Sequence, residues 1–309
     1  MRHSRLLGVI GTSAFVLAIA PFAGAAPTLD GSKDAGYGSA LAVQSVGTQF
    51  GNATAGNAVT ANGSELDNAY GVVDSGNLYL FLGGNLESNF NKLEIFIDNV
   101  AGGQNQLRGD NPDVDFNGLN RMGNNGTLPG LKFDSGFEAD HYITVTNGNT
   151  GSGNQYFASY APLATNGGGT GVSLGGSAVG GTTITGSNGI NIAANNSNTL
   201  GVNSFGNPND SDPSTVATGF ELQIPLSVIG NPSGDIKVTA FINGGGHDFA
   251  SNQFLGGLPA GTANLGEPRS VDLSSIAGNQ YFTVAVPEPA SIGLLGVLAL
   301  AATRRRRVV

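Results

Sequence analysis

The chain has 309 residues, with 50 glycines, no cysteine, no tryptophan and a formal net charge of −9. Six of its 13 basic residues and one of its 22 acidic residues lie in the two ends, so the body between them carries −14. That balance argues against nucleic acid or an anionic membrane surface as partner, since both need basic patches. Stability must come without disulfides, and the glycine and asparagine content works against long helices.

Residues 1–25 have the layout of a secretory signal peptide. Arg2 and Arg5 form a positive start, Leu6 to Ala20 are mostly apolar, and Ala23-Gly24-Ala25 is a small-x-small cleavage site. The apolar stretch is shorter than the roughly 20 residues that a membrane span needs.

The body, residues 26–285, reads as a series of short strands. Tyr70 to Val73 leads into Asp74-Ser75-Gly76, a turn signal, and Asn77 to Leu82 follows, which predicts a hairpin. The second of these runs is apolar on both faces, as a central strand should be. Lys92 to Asp98 places Leu93, Ile95 and Ile97 on one face. Further strands are expected at His141 to Val145, Gln155 to Tyr160, Gly219 to Ile224, Ile236 to Ile242 and Gln280 to Val284. Leu226 to Ile229, between Pro225 and Gly230, suggests one helical turn at a corner.

Residues 166–213 form a Gly/Asn-rich stretch with few large apolar side chains. It reads as an inserted loop or as peripheral hairpins, with Thr182-Thr183-Ile184-Thr185 as one β-branched piece. Many short strands separated by turns predict an all-β fold, a single antiparallel β-sandwich of jelly-roll type.

Leu29-Asp30-Gly31 with Asp34, Tyr37 and Ala40 resembles the opening of family nine carbohydrate-binding modules and their relatives. The hairpin at Asn77 to Leu82, Phe96-Ile97-Asp98, and Phe220-Glu221-Leu222-Gln223-Ile224-Pro225-Leu226 extend that resemblance over much of residues 29–243. It implies the sandwich fold. Such modules clamp sugar between tryptophans, which this chain lacks, so the resemblance implies the fold without that binding site. Tyr79, Tyr142, Tyr156 and Tyr281 sit inside apolar strands, whereas Tyr37 and Tyr160 lie nearer turns and are the better candidates for exposed stacking on a glycan.

The best local site is Asp-Asn-Pro-Asp-Val-Asp-Phe-Asn-Gly, residues 110–118. Asp113, Asp115 and Asn117 alternate ahead of Gly118, the first half of a calcium-loop pattern. Hard oxygen ligands spaced this way can converge on one ion where a glycine lets the chain turn. The twelfth position is Asn124 rather than Glu, so the expectation is a calcium-stapled loop and not an EF-hand. The alternative is an Asx-rich turn whose carboxylates face water.

His141 and His247 read as ordinary surface residues, because a zinc site needs three or four converging ligands. Gly244-Gly245-Gly246 lacks the fingerprint of a phosphate loop. No Gly-x-Ser-x-Gly elbow occurs. Carboxylates are numerous, but their spacing singles out no glycosidase pair, so no catalytic residue is assigned.

Residues 286–309 close the chain. Val286 is followed by Pro287-Glu288-Pro289, the apolar Ala290 to Ala302, and Arg304-Arg305-Arg306-Arg307. This tail resembles the PEP-CTERM sorting signal. An apolar helix stalls in the bilayer, and a block of arginines keeps the C-terminus inside. The resemblance implies transient insertion in the inner membrane and an exosortase-type enzyme acting near the motif. The protein is then exposed or released at the cell surface. The sequence thus predicts an exported, non-catalytic surface or matrix protein, structural or adhesive and associated with extracellular polysaccharide. A module for one defined sugar is the second reading and a glycoside hydrolase the third.

Overall fold

Strand follows strand because apolar residues alternate in short runs that glycine and asparagine keep interrupting. The computed structural model describes residues 25–287. The expected signal segment through Gly24, with Ala23, and the tail from Glu288 with Pro289, Arg304, Arg305, Arg306 and Arg307 lie outside the described residues. Among the described residues no helix is long and apolar enough to cross a membrane.

The strands are β1 (Ala42–Val43), β2 (Glu65–Asp74), β3 (Asn77–Asn85), β4 (Lys92–Asp98), β5 (His141–Asn149), β6 (Asn154–Pro162), β7 (Val172–Gly176), β8 (Thr183–Thr185), β9 (Asn191–Ala194), β10 (Gly219–Pro225), β11 (Ile236–Asn243), β12 (Ala250–Leu255) and β13 (Phe282–Val284). The α-helix described is the single turn α1 (Gly118–Arg121). Two antiparallel sheets result. The first runs β1-β2-β3-β10-β9-β8, and the second runs β12-β11-β4-β5-β6-β7, with β13 also paired to β11.

The β2–β3 hairpin follows from its turn. Asp74 faces Asn77 across a two-residue loop, and Ser75 (φ 48°) and Gly76 (φ 79°) both take positive φ, the geometry of a type I′ turn. Strand alternation then sorts side chains between faces. Leu78, Leu80 and Leu82 meet Leu93, Ile95, Ile97, Leu222 and Val238 in the core between the sheets. The turn after β10 closes through Val228 N–H to Pro225 O and Ile229 N–H to Leu226 O, the expected single turn.

Both outer faces are partly covered. On the first sheet, Tyr70, Tyr79 and Phe81 pack under Tyr37. On the second, Phe96, Tyr142, Phe241 and Phe254 are roofed by Leu107, Leu119, Met122, Leu131 and Phe133 from the long connection between β4 and β5. That roof leaves open the half of the face that β6 and β7 form.

Residues 166–213 do not lie apart from the sandwich. They supply β7 to the edge of the second sheet and β8 and β9 to the edge of the first. Of their large apolar residues, Leu174, Ile184, Ile190, Ile192 and Val202 are buried, while Val179 and Leu200 are exposed. Asn196 is also fully buried, because its side chain joins Leu86 and Val59 backbone groups. A polar residue goes inside when its hydrogen bonds are made there.

Candidate functional site

Neither tyrosine expected to stack on a sugar is free to do so. Tyr160 lies inside β6, whose alternation turns it with Tyr156 and Ala158 into the core, where it is 7% exposed. Its hydroxyl meets His141 Nδ1 at 2.9 Å. Tyr37 is 4% exposed and donates to Glu221 Oε1 at 3.0 Å. Both histidines are buried too, contrary to their reading as surface residues. Burial pushes His141 down to about 4, so it is neutral beside Tyr160.

The acidic loop divides in two. Asp113 and Asn117 are exposed, while Asp115 turns inward, its Oδ2 at 2.9 Å from Lys92 Nζ and 2.8 Å from His247 Nε2. His247 Nδ1 lies 2.7 Å from Glu94 Oε1. Tyr142 Oη donates to Glu94 Oε2 at 2.7 Å, and Asn243 Nδ2 donates to Glu94 Oε1 at 3.1 Å. The structure therefore brings Asp115 together with Lys92, His247 and Glu94, and not with Asp113 and Asn117. Among the described residues no three His, Asp or Glu side chains are arranged to hold a metal ion.

Charge alternates along this chain of contacts. Burial pulls the His247 imidazolium down, but the Glu94 charge and the hydrogen bonds to Asp115 and Glu94 more than offset it and raise it to about 9. Burial likewise pushes Asp115 up, and His247 and Lys92 together hold it at about 2. Opposite charge at hydrogen-bond distance favours the ionised form of each. Gly118 makes the packing possible, since a Cβ there would overlap the His247 ring.

Beside this network the outer face of the second sheet opens into a cleft of about 510 Å³. Its floor is a cross-strand row in register, Lys92 to Thr146, Thr146 to Phe157, Phe157 to Gly176. Ser159 and Ser173, themselves a cross-strand pair, lie next to that row, and Phe90 and Phe116 stand at the rim. Phe116 is fully exposed and Phe90 is 38% exposed. The ring of Phe90 lies where a side chain on Gly148 would have to go.

The backbone around the cleft is strained. Among the described residues seven non-glycine positions have positive φ, and five of them belong here: Phe90 (72°), Asp115 (51°), Phe116 (54°), Asn117 (63°) and His247 (54°). Left-handed backbone suits Asn and Asp but is an outlier for a bulky side chain. It costs about 1–3 kcal/mol per residue and persists where the surroundings impose it. Here the inward ion pair of Asp115 anchors the loop, and the left-handed turn that follows throws Phe116 into solvent above the cleft. A second hollow, of about 470 Å³, is lined by Gln106, Arg108 and Asp110. It has no aromatic wall, and its Arg108–Asp110 pair is exposed to water.

Residues 285–307 match the PEP-CTERM protein-sorting motif. No curated protein matches the chain, and no solved structure does, so the likeness of the body to family nine modules is carried by its short sequence motifs alone. The matched motif indicates export across the membrane and C-terminal processing by an exosortase-type system, consistent with a surface location. Its position fits the fold. β13 ends at Val284, Val286 still packs on the core, and Pro287 is exposed. The sorting motif begins where the sandwich stops.

Proposed function

We propose that the protein is a non-catalytic adhesive component of the cell surface or extracellular matrix. Its sandwich, of jelly-roll type, holds polysaccharide in the cleft beside Lys92 and Asp115. A signal peptidase removes residues 1–25, and an exosortase-type enzyme acts near Pro287-Glu288-Pro289 after transient insertion of the tail. The observation that carries the binding role is the pair of exposed phenylalanines, Phe90 and Phe116, held at positive φ beside a polar floor. Left-handed backbone at two solvent-facing aromatic residues costs stability, and such strain clusters at ligand sites. Amphipathic sugar rings suit a cleft of apolar walls with a few placed polar groups.

Hydrolysis is the weaker reading. A glycosidase needs two carboxylates facing the same bond, one of them able to carry a proton. The cleft offers Asp115, which its two cationic neighbours keep ionised, while Glu94 is fully buried behind His247.

Affinity electrophoresis of the protein through gels containing soluble polysaccharides tests the binding role. Saturable retardation on at least one polymer, weakened about tenfold by Phe116→Ala, is expected. Equal mobility in every gel would leave a purely structural matrix role.

A further inference from the structure

We propose that the cleft selects neutral glycans whose units carry two free adjacent hydroxyl groups, Lys92 donating to one and Asp115 accepting from the other. This rests on the polysaccharide-binding reading above. An ammonium has three donors, and Lys92 Nζ uses one on Asp115 Oδ2 at 2.9 Å. The same oxygen takes the His247 bond, so among the described residues Asp115 Oδ1 is left with no hydrogen bond. A free donor and a free acceptor thus stand side by side at the base of the cleft. Two neighbouring hydroxyls are the matching ligand, because each hydroxyl both donates and accepts.

The rest of the cleft fixes orientation and charge preference. Phe90, Phe116 and Phe157 provide apolar surface for the C–H faces of a sugar ring, which leaves the hydroxyl edge to meet the floor. Lys92 does not recruit anions, because Asp115 already compensates it at 2.9 Å. The body around it carries −14, and a field of that sign repels a polyuronate. A glycan whose linkage consumes one of the two hydroxyls leaves a spare Lys92 donor or Asp115 Oδ1 without a partner in a partly dry site, and sites built on such hydrogen bonds reject the analogue strongly.

Three probes decide the matter with the full-length chain. Deacetylated β-1,4-linked glucomannan has an adjacent hydroxyl pair in every unit, a linear β-1,3-linked glucan has none within its chain, and polygalacturonate has the pair together with a carboxylate. Retardation by the glucomannan is expected. Binding to the β-1,3-glucan should be at least about tenfold weaker, and binding to polygalacturonate weaker still at low salt. Phe116→Ala should weaken glucomannan binding about tenfold without lowering the melting temperature, since the ring is fully exposed. Equal binding of the β-1,3-glucan overturns the hydroxyl-pair rule and leaves polysaccharide binding standing. Preference for polygalacturonate that survives high salt overturns the selection for neutral chains. Failure of all three probes, or binding indifferent to Phe116→Ala, overturns the cleft reading itself.

Discussion

On the outer face of the second sheet, Glu94 and Asp115 are packed against Lys92 and His247. On the first sheet, Glu65 and Asp67 are fully buried with one amide, Asn198 Nδ2, at 3.1 Å from a carboxylate oxygen of each. Backbone N–H groups of Ala53 and Val202 complete the second cluster. The first cluster answers negative charge with positive charge, which holds Asp115 and His247 in their ionised forms. The second has no cation, and burial, with the neighbouring Asp67 charge, pushes Glu65 up to about 9 while burial pushes Asp67 up to about 8. These two keep their protons at neutral pH. The difference separates roles: a proton-neutralised pair can only hold strands together, whereas an ionised chain of contacts reaching a cleft can also meet a ligand.

Removing one cation should have the largest effect. His247→Ala leaves Glu94 with Tyr142 and Asn243 but no counter-charge, and stranding a buried charge costs about 3–5 kcal/mol. Denaturant unfolding should show that loss. A loss below about 1 kcal/mol would mean that Glu94 does not depend on His247.

Next comes pH. Glu65 and Asp67 have folded values above their unfolded ones, so their contribution is complete below about pH 4 and is lost as pH rises through 8 and 9. Each group that keeps its proton costs at most about 1.4 kcal/mol per pH unit across that window. His247, raised to about 9, loses its contribution between its ordinary value and that pH, while Asp115, lowered to about 2, loses its own only in acid. The double change Glu65→Gln and Asp67→Asn should therefore raise stability at pH 8 and make the fall between pH 5 and 6.5 shallower, leaving the part of Asp140, which burial pushes up to about 6, and the His247 part above it. An unchanged slope would mean that the first-sheet pair is ionised after all.

The two clusters were not equally legible in the sequence. The β2–β3 turn and the whole of β4 followed from residue order, because Ser-Gly suits a type I′ turn and Leu93, Ile95 and Ile97 alternate. β12 gave no such signal. Ser251, Asn252 and Gln253 look exposed, yet they are buried, with Asn252 donating to Gly47 O and Thr262 O and Gln253 to Val46 O. Of the cleft, the acidic loop and Gly118 were visible, but His247 lies 132 positions from Asp115 and nothing local links them. The left-handed backbone at Phe90 and Phe116 has no sequence signature, since phenylalanine has no preference for it.

A smaller effect tests whether strain belongs to the cleft. Phe116→Asn places a residue that tolerates left-handed backbone at φ 54° and should stabilise the fold by about 1 kcal/mol. The same change should weaken retardation on glucomannan about tenfold, as loss of the ring does in Phe116→Ala. Stabilisation without loss of binding would detach the strained turn from function.

The smallest expected effect concerns calcium. The sequence pattern of Asp113, Asp115 and Asn117 asks for three oxygens around one ion, but Asp115 Oδ2 is already engaged by Lys92 and His247. Drawing it out to an ion would expose the cationic pair to each other's charge and leave His247 with Glu94 alone. Weak extracellular sites bind at about 10⁻⁴ to 10⁻³ M, too little free energy to offset the loss of a largely buried ion pair. Asp113→Ala with Asn117→Ala should then cost no more than about 1 kcal/mol, set by the left-handed backbone at residue 117 (φ 63°) rather than by a lost ion, and millimolar calcium should leave the melting temperature where EDTA leaves it. Asp115→Ala alone should cost several times more than the other two changes together. A calcium-dependent rise in melting temperature that vanishes in the Asp113→Ala, Asn117→Ala protein would show that the loop can trade its inward ion pair for a metal, and the cleft would then be a calcium-gated one.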